Sequence, residues 1–531
     1  MKLAGMASNR GRNLRNLADR QPGGAEFAVV LTNDTDAPVL DAAADRGIPT
    51  EVVERDPEES RRDHEKRVLA ALADYDFELV CLDGYMRVLT GEFLDQVPAV
   101  LNVHPSLLPA FPGMDAHEQV LDAGARVTGC TVHVATEEVD AGPVVTQEAV
   151  PVYEDDDAAS LKDRVLHEAE FRAYPRAVQW FAEDRVTVDR EAGTVTVDGD
   201  DGGDFPARRV TSADRSDALR YGENPHQDAA VYADPTCEEP SLVGATPLNP
   251  DAGALSYNNY NDADGALDVI KEFEEPAAAV IKHANPAGCA SADSLAEAYE
   301  RALATDPKSA FGGIVALNRV CDAATAEQIV DSFKVVTLAP GYTDDALEVL
   351  RSKESMQVLE VGDGDRLGPD GRTETIAEKS LVGGRLVQER DRQRLSRDDL
   401  EVVTEREPTE DQVQSMLFGW QVVKHVTSNA VIFTSGTETV GVGAGQLSRV
   451  DAVKVAKMKA ESDAEGKSAE GGVMVSDAFF PFPDNVEVAA EAGIEAVVQP
   501  GGSKRDDEVV EACDELGLAM CFTGQRAFKH D

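Results

Sequence analysis

Two short segments of this sequence carry residues whose types and spacing suit proton transfer beside a developing negative charge. In AVLNVHPSLLPAFPG, residues 99–113, Asn102 and His104 stand two apart, so an extended chain points both to one face. An amide donor beside a titratable imidazole can stabilise an oxyanion and move a proton. In PAAAVIKHANPAG, residues 276–288, Lys282 and His283 follow an apolar run. Neighbouring strand residues face opposite ways, so both reach one substrate only if the chain turns there. Pro286-Ala287-Gly288 is the expected break. Taken alone, the first segment also reads as a hydrogen-bonded strand end and the second as a solvated loop.

The elements around these segments predict an α/β protein. Over the first 180 residues, apolar runs such as Phe27–Leu31, Leu79–Leu82 and Ala99–Val103 alternate with helical stretches such as Asp63–Leu72, the pattern of βαβ units on a parallel sheet. Open sheets of this kind bind ligands at the carboxyl ends of their strands. Val186–Asp198 alternates with period two around Glu191-Ala192-Gly193 and reads as a hairpin. The Gly- and Asp-rich stretch 199–212 has no periodicity and reads as a linker between a domain at 1–198 and one at 213–531. The second domain has apolar runs at Ala277–Ile281, Val431–Thr434, Val473–Val475, Ala496–Val498 and Ala519–Phe522, and a polar loop at Gly362–Arg372. No tandem repeat of solenoid length is evident.

Composition narrows the function. The chain has 531 residues, 50 Lys+Arg and 99 Asp+Glu, a formal charge of −49. Such a polyanion repels nucleic acid and anionic membranes. Its 42% hydrophobic content excludes a disordered acidic polymer. The basic residues are 34 Arg and 16 Lys; an acid-loaded, Lys-poor chain suits a halophile cytoplasm, where salt screens self-repulsion. Seven cysteines without a CxxC pair do not make a disulfide framework. There is no signal-peptide core and no apolar run of membrane-spanning length, so a cytoplasmic location is expected. Absence of HExxH, of a phosphate-loop motif and of zinc-deaminase spacing leaves no catalytic metal expected.

Further residues extend the first constellation. TGCTVHVATEEVDAGPVV, residues 128–145, puts His133 on a strand and Asp140 in the following loop. With NVHPSLLPAFPG it resembles the phosphoribosylglycinamide formyltransferase family, over about residues 1–195. The resemblance implies a Rossmann-like domain in which Asn102, His104 and Asp140 are catalytic. It implies that the amine of glycinamide ribonucleotide attacks the formyl carbon of 10-formyltetrahydrofolate. In SNRGRNL, residues 8–14, Gly11 and Asn13 match the family's phosphate loop, while Asn9 and Arg12 depart from it. Met86, Arg87, Val88 and Leu89 match the folate-side loop. Asp115 stands where relatives often have histidine. Glu170 lies near the family's substrate-contacting glutamate, with the helical spacing shifted.

The second constellation is accompanied by LRYGENPHQ, LSYNNYNDAD, SAFGGIVAL, GVGAGQLSR, SDAFFPFPDN and TGQRAFKH. Together they resemble the transformylase part of the bifunctional purine-biosynthesis protein acting on 5-aminoimidazole-4-carboxamide ribonucleotide (AICAR), over about residues 213–531. The resemblance implies a cytidine-deaminase-like fold in two related subdomains without zinc. It implies that His283 takes the amine proton, Lys282 serves the oxyanion or leaving nitrogen, Asn429 orients the formyl group and His530 assists. Arg220, Tyr221, Arg449, Arg526 and Phe528 match nucleotide-binding positions; Phe479, Phe482, Asp484 and Asn485 match the folate side. Val335 stands where relatives carry an acid. A homodimer through this domain follows from the same family.

These resemblances lead us to expect a bifunctional formyltransferase of purine biosynthesis without the ring-closing cyclohydrolase. Two alternatives use the same residues: formyltetrahydrofolate hydrolysis by the N-terminal half, and a non-catalytic folate or nucleotide sensor in one half. The loop HPSLLP, residues 104–109, departs from the hydrolase's HHSFLPAF. The charge and the lack of a basic domain disfavour formyl transfer to initiator tRNA.

Overall fold

Strand β1 (Lys2–Met6) is buried at four of its five residues, as a strand covered on both faces must be. In the computed structural model it lies inside a seven-stranded sheet of order β3-β2-β1-β4-β5-β6-β7. All residues are described except 57, 190–191, 200–202, 204, 363 and 531. The chain divides into two compact units, Met1–Val210 and Thr211–Asp531.

The first unit runs β1, α1 (Arg12–Arg20), β2 (Glu26–Thr32), α2 (Val39–Ala44), β3 (Thr50–Val52), α3 (Arg61–Leu72), β4 (Leu79–Leu82), α4 (Gly91–Leu94), β5 (Val100–His104), α5 (Ala116–Asp122), β6 (Val127–Val134), β7 (Val144–Pro151), α6 (Ala158–Arg164) and α7 (Phe171–Ala182). Strands β1 to β5 are parallel; β6 and β7 add antiparallel. The strand order reverses between β1 and β4, so their carboxyl ends open a crevice there. Helix α3 starts two residues earlier than its apolar period suggests because Ser60 caps it through the N–H of Asp63. Between α6 and α7 a π-helical turn spans Val165–Glu170. Tyr174 of α7 is fully buried and its hydroxyl reaches the carbonyls of Leu82 (2.9 Å) and Leu101 (3.0 Å), fastening the helix to β4 and β5. The expected hairpin is β8 (Val186–Asp189) paired with β9 (Thr194–Val197); residues 190–191 of its tip lie outside the described residues. Four residues of the linker assigned to 199–212 also do, at 200–202 and 204.

The second unit opens with a hairpin, β10 (Asp214–Leu219) and β11 (Ala229–Ala233). Then comes β12 (Thr246–Pro247), α8 (Tyr257–Ile270), β13 (Ala277–Lys282), β14 (Asn285–Ser291), α9 (Leu295–Leu303), β15 (Ile314–Leu317), α10 (Ala323–Val330), β16 (Val336–Ala339), α11 (Asp344–Arg351) and β17 (Gln357–Glu360). The loop expected at 362–372, of which 363 is outside the described residues, leads to the hairpin β18 (Ile376–Leu381) and β19 (Gly384–Glu389). The same succession then repeats: β20 (Glu401–Val402), α12 (Glu410–Val423), β21 (Val431–Ser435), β22 (Glu438–Gly443), α13 (Arg449–Ser462), β23 (Val473–Ser476), α14 (Asp484–Glu491), β24 (Ala496–Gln499), α15 (Asp506–Leu516) and β25 (Ala519–Phe522).

The two halves form one twelve-stranded sheet, β12-β17-β16-β15-β13-β14-β22-β21-β23-β24-β25-β20. Each half holds an antiparallel hairpin, three parallel strands and an antiparallel edge strand. They meet where β14 pairs with β22 at Ala290 and Glu438. Because the halves run in opposite senses, the end of β13 and the start of β21 come to one edge of the sheet.

Candidate active sites

In the first unit β5 ends at His104, and its pairing with β6 sets Asn102 opposite His133. The Asn102 amide nitrogen lies 3.1 Å from His133 Nε2. Asp140, held at a positive φ of 55°, reaches both rings: Oδ2 is 3.1 Å from His104 Nδ1 and Oδ1 is 3.7 Å from His133 Nε2. It also accepts the Gly113 N–H at 2.8 Å. Burial opposes ionisation of Asp140, but the His133 bond, the Gly113 N–H and the two imidazoles hold its carboxyl below the ordinary range. His104 Nε2 lies 2.9 Å from the carbonyl of Phe111. Both ring nitrogens of His104 thus face oxygen atoms. This cluster sets an imidazole and an amide donor on one strand face, which suits an oxyanion.

At the crevice between β1 and β4, Gly11 precedes α1 with φ 53°; a Cβ there would come within 2.4 Å of Val39. Asn9 stabilises this turn by accepting the Gly11 N–H. Asn13 is not left free for an anion: its backbone N–H donates to Asp83 (2.8 Å) and its side-chain nitrogen to Glu170 (2.6 Å). The π-helical turn ending at Glu170 supplies the shifted helical spacing, and the turn brings this carboxylate into the crevice. Burial pushes Glu170 up to about 7, with the Asn13 bond opposing and Asp83 adding to the rise. Burial likewise raises Asp83 against its bonds to Asn13. The Asn13 Oδ1 has no partner and is buried.

The Tyr85–Leu89 loop divides by exposure. Leu89 packs in the core, Arg87 and Val88 are half-buried, and Met86 is exposed while its N–H donates to Ser8 Oγ at 3.0 Å. Glu65 anchors the loop's end through the N–H and hydroxyl of Thr90. Behind the Asp140 loop a cleft of ≈ 610 Å³ is lined by Leu94, Val100, Val134, Thr136, Pro143 and Val188. Asp115 precedes α5 at φ 57° and is exposed.

In the second unit the break after Lys282 is at His283-Ala284, both left-handed with φ 54° and 58°. Pro286, Ala287 and Gly288, the expected break, instead belong to β14. A two-residue loop with positive φ at both positions matches the twist of a hairpin, so the strand can resume at once. Lys282 Nζ donates to the Gly312 carbonyl at 3.0 Å. Lys282, His283 and Asn285 line a cleft of ≈ 950 Å³ with Phe311, Val442 and Lys459.

Asn429 stands before β21 and is held on both sides. Its nitrogen donates to Gln446 O (2.8 Å) and Leu447 O (3.2 Å), and its oxygen accepts from Arg449 at 2.8 Å. Arg449 is buried and also bonded to Asp477 and Ser476 Oγ, so its guanidinium supports Asn429. Asp477 further accepts from Ser428 Oγ (2.6 Å) and the Ala430 N–H (3.0 Å). Arg220 stacks on Tyr221 beyond β10, and Arg526 on Phe528 near the carboxyl end. Phe528 makes an edge contact with exposed His530. Among the described residues, none of these five is hydrogen-bonded to Lys282, His283 or Asn429. Phe482 is exposed beneath Arg505, Phe479 is half-buried, and Asn485 is buried with its nitrogen on Phe482 O and Asp484. Val335 packs against the core.

The sequence places His133 on a strand without assigning it to the site, gives Asp83 no role, and includes Asp262 and Asp477 only as unassigned members of LSYNNYNDAD and SDAFFPFPDN. The structure sets Asp83 and Asp477 directly after β4 and β23, and Asp262 on α8. Among the described residues no cluster of metal-ligating side chains occurs, and no helix is long and apolar enough to cross a membrane.

A formyl transferase family model matches residues 1–178, and an AICARFT/IMPCHase bienzyme model matches residues 176–459, more than half of the chain. The fold is that of an α/β protein in two units, the first matching the formyl transferase family and the second the bienzyme family. The chain belongs to the AICARFT/IMPCHase bienzyme family. Bifunctional purine biosynthesis protein PurH of Magnetococcus marinus is 48% identical over 335 residues, 62% of this chain and 62% of that protein. The PurH of Oceanobacillus iheyensis is 45% identical over 326 residues, 61% of this chain and 62% of that one. The chain thus spans about three fifths of these relatives' length. Glycinamide ribonucleotide transformylase 1 of Symbiobacterium toebii, a solved structure, is 38% identical, covering 37% of this chain and 93% of its own, with a TM-score of 0.35.

Proposed function

We propose that this chain is a bifunctional formyltransferase of purine biosynthesis. The first unit formylates glycinamide ribonucleotide and the second formylates AICAR, both from 10-formyltetrahydrofolate. The observation that carries this reading is that each unit sets a histidine at a sheet edge: His104 against Asp140, with Asn102 two residues earlier on β5, in the first, and His283 lining a cleft with Lys282 in the second.

In the first reaction the substrate amine attacks the formyl carbon. Asn102 and the His104 imidazolium stabilise the oxyanion. Asp140, held ionised, supports the His104 ring and helps take the amine proton through water. The bond from carbon to N10 breaks as N10 receives a proton. The cleft beside the Asp140 loop, with its apolar walls, suits the donor's flat pterin. For AICAR the amine is a poor nucleophile because its lone pair is delocalised. His283 removes the proton as attack proceeds, and Lys282 stabilises the oxyanion or protonates N10.

The reading extends to domains at 1–198 and 213–531 joined by 199–212, a homodimer through the second, and a cytoplasm of high salt. It holds that ring closure is supplied by another protein; conversion of formylated AICAR to inosinate by the purified chain would contradict that. The decisive experiment mixes each acceptor with donor in high salt and follows tetrahydrofolate. His104→Ala should abolish only the glycinamide reaction, and His283→Ala only the AICAR reaction. Loss of both activities from either substitution would overturn the two-site reading.

A further inference from the structure

The turn that carries His283 is made of two L-residues in a region that L-residues disfavour. His283 and Ala284 have φ of 54° and 58°, and neither is glycine. A non-glycine residue held there persists only where its surroundings hold it. Ala284 has no polar side chain to offset the strain, so the restraint must come from outside the turn.

Two side chains supply it. Asp262 of α8 reaches the turn with both oxygens: Oδ1 accepts the Ala284 N–H at 2.8 Å and Oδ2 the His283 N–H at 3.3 Å. Successive N–H groups in a bent backbone form a cup for an anion, and this carboxylate fills it. Asn285, the first residue of β14, works on the other side. Its nitrogen donates to the His283 carbonyl at 3.1 Å and its oxygen accepts the Thr427 N–H at 2.9 Å. Thr427 stands two residues before Asn429. One amide therefore joins the turn of the first half to the Asn429 segment of the second. The backbone pairing between these halves, Ala290 with Glu438, lies at the far end of β14.

We propose that Asp262 and Asn285 are positioning residues for formyl transfer in the second unit, holding His283 in register with Asn429 through the β13–β14 turn. This rests on the function proposed above. Neither residue is assigned contact with the reacting atoms; each acts through His283 or Asn429.

The test compares Asp262→Ala, Asn285→Ala and the double variant Asp262→Ala/Ala284→Gly in the full chain. Both acceptor reactions and thermal melting are measured. Asp262→Ala and Asn285→Ala should each lower kcat for AICAR about 100-fold, the scale of a small misplacement of a reacting group. KM should change less than about twofold, and glycinamide formylation on the same chain should be unchanged. Glycine adopts positive φ freely, so the double variant should recover about tenfold over Asp262→Ala. Unchanged kcat for AICAR, a loss shared by both reactions, or no recovery by glycine would overturn the proposal. If the unaltered chain does not formylate AICAR, the functional reading fails by itself. The positioning claim is then decided by the crystal structure of Asp262→Ala: displacement of the turn supports it, and an unmoved His283-Ala284 turn overturns it.

Discussion

Asn318 and Asp477 occupy equivalent places in the two halves of the second unit. Each follows the first parallel strand of its half, β15 or β23, and each accepts an N–H at the start of a central strand: Asn318 from Ala277 at 2.7 Å, Asp477 from Ala430 at 3.0 Å. Their other bonds differ. The Asn318 amide donates to Phe273 O (3.1 Å) and Glu275 O (2.7 Å), a closed knot around a buried side chain. Asp477 turns its charge to Ser428 and Arg449. The repeated topology thus provides two strand-end positions, one closed as a structural clasp and one bonded to the Ser428-Asn429-Ala430 segment through Ser428, Ala430 and Arg449.

The exchange of these two residues is asymmetric in its effects. Asp477→Asn keeps an acceptor for the Ala430 N–H but removes the anion facing Arg449, so Asn429 loses its fixed orientation. AICAR formylation should fall about 100-fold with glycinamide formylation unchanged, read in parallel steady-state assays. Asn318→Asp sets a buried carboxylate against two carbonyl oxygens. It should destabilise the second unit by about 3–5 kcal/mol, read by urea unfolding.

Glu170 gives the first unit a pH dependence of known sign. Its carboxyl is raised to about 7 from an ordinary 4.5, so the native state favours the protonated form. The stability this contributes is complete below about pH 4.5 and is lost as pH rises through 7. Glu170→Gln should make the first unit's stability flatter between pH 5 and 8, by at most about 3 kcal/mol. Urea midpoints at the two pH values measure it.

What was legible in the sequence was strand register and the residues it carries. The run Leu79–Leu82 is β4 residue for residue, and Asn102 and His104 share a face because a strand has period two. What was not legible depended on backbone that breaks a period. Glu170 is brought into its crevice by a π-helical turn, which no 3.6-residue count anticipates. His283 turns by adopting positive φ itself, although Pro286 and Gly288 were the stronger turn signals. The two related subdomains of the second unit are implied by the family resemblance and not by a repeat, because residues as different as Asn318 and Asp477 stand in equivalent places.

The net charge of −49 makes salt a determinant of stability. At about 0.1 M salt the screening length is about 10 Å, and at 1 M about 3 Å. Raising KCl over that range should raise the melting temperature and the activity of both units. An unaltered melting temperature in low salt would count against adaptation to a saline cytoplasm.

The last prediction concerns the carboxylate between equivalent helices of the two halves. Glu272 follows α8, and Lys424 and His425 follow α12. Glu272 Oε1 lies 3.0 Å from Lys424 Nζ and 3.0 Å from His425 Nε2, and it also bonds Arg372. The group is fully buried. Burial works against its ionisation, but the His425 bond, Lys424 and Arg372 hold the carboxyl below its ordinary 4.5. Its stabilisation is therefore present above about pH 4.5 and is lost as pH falls through the lowered native value. Glu272→Gln leaves three basic groups without their shared anion, a loss of about 3–5 kcal/mol. The variant should unfold at lower urea at pH 7 and lose part of the wild-type decline in acid. Because the two halves still share one sheet through β14 and β22, they should unfold together, visible as one transition of Trp420 fluorescence on a Trp180→Phe background.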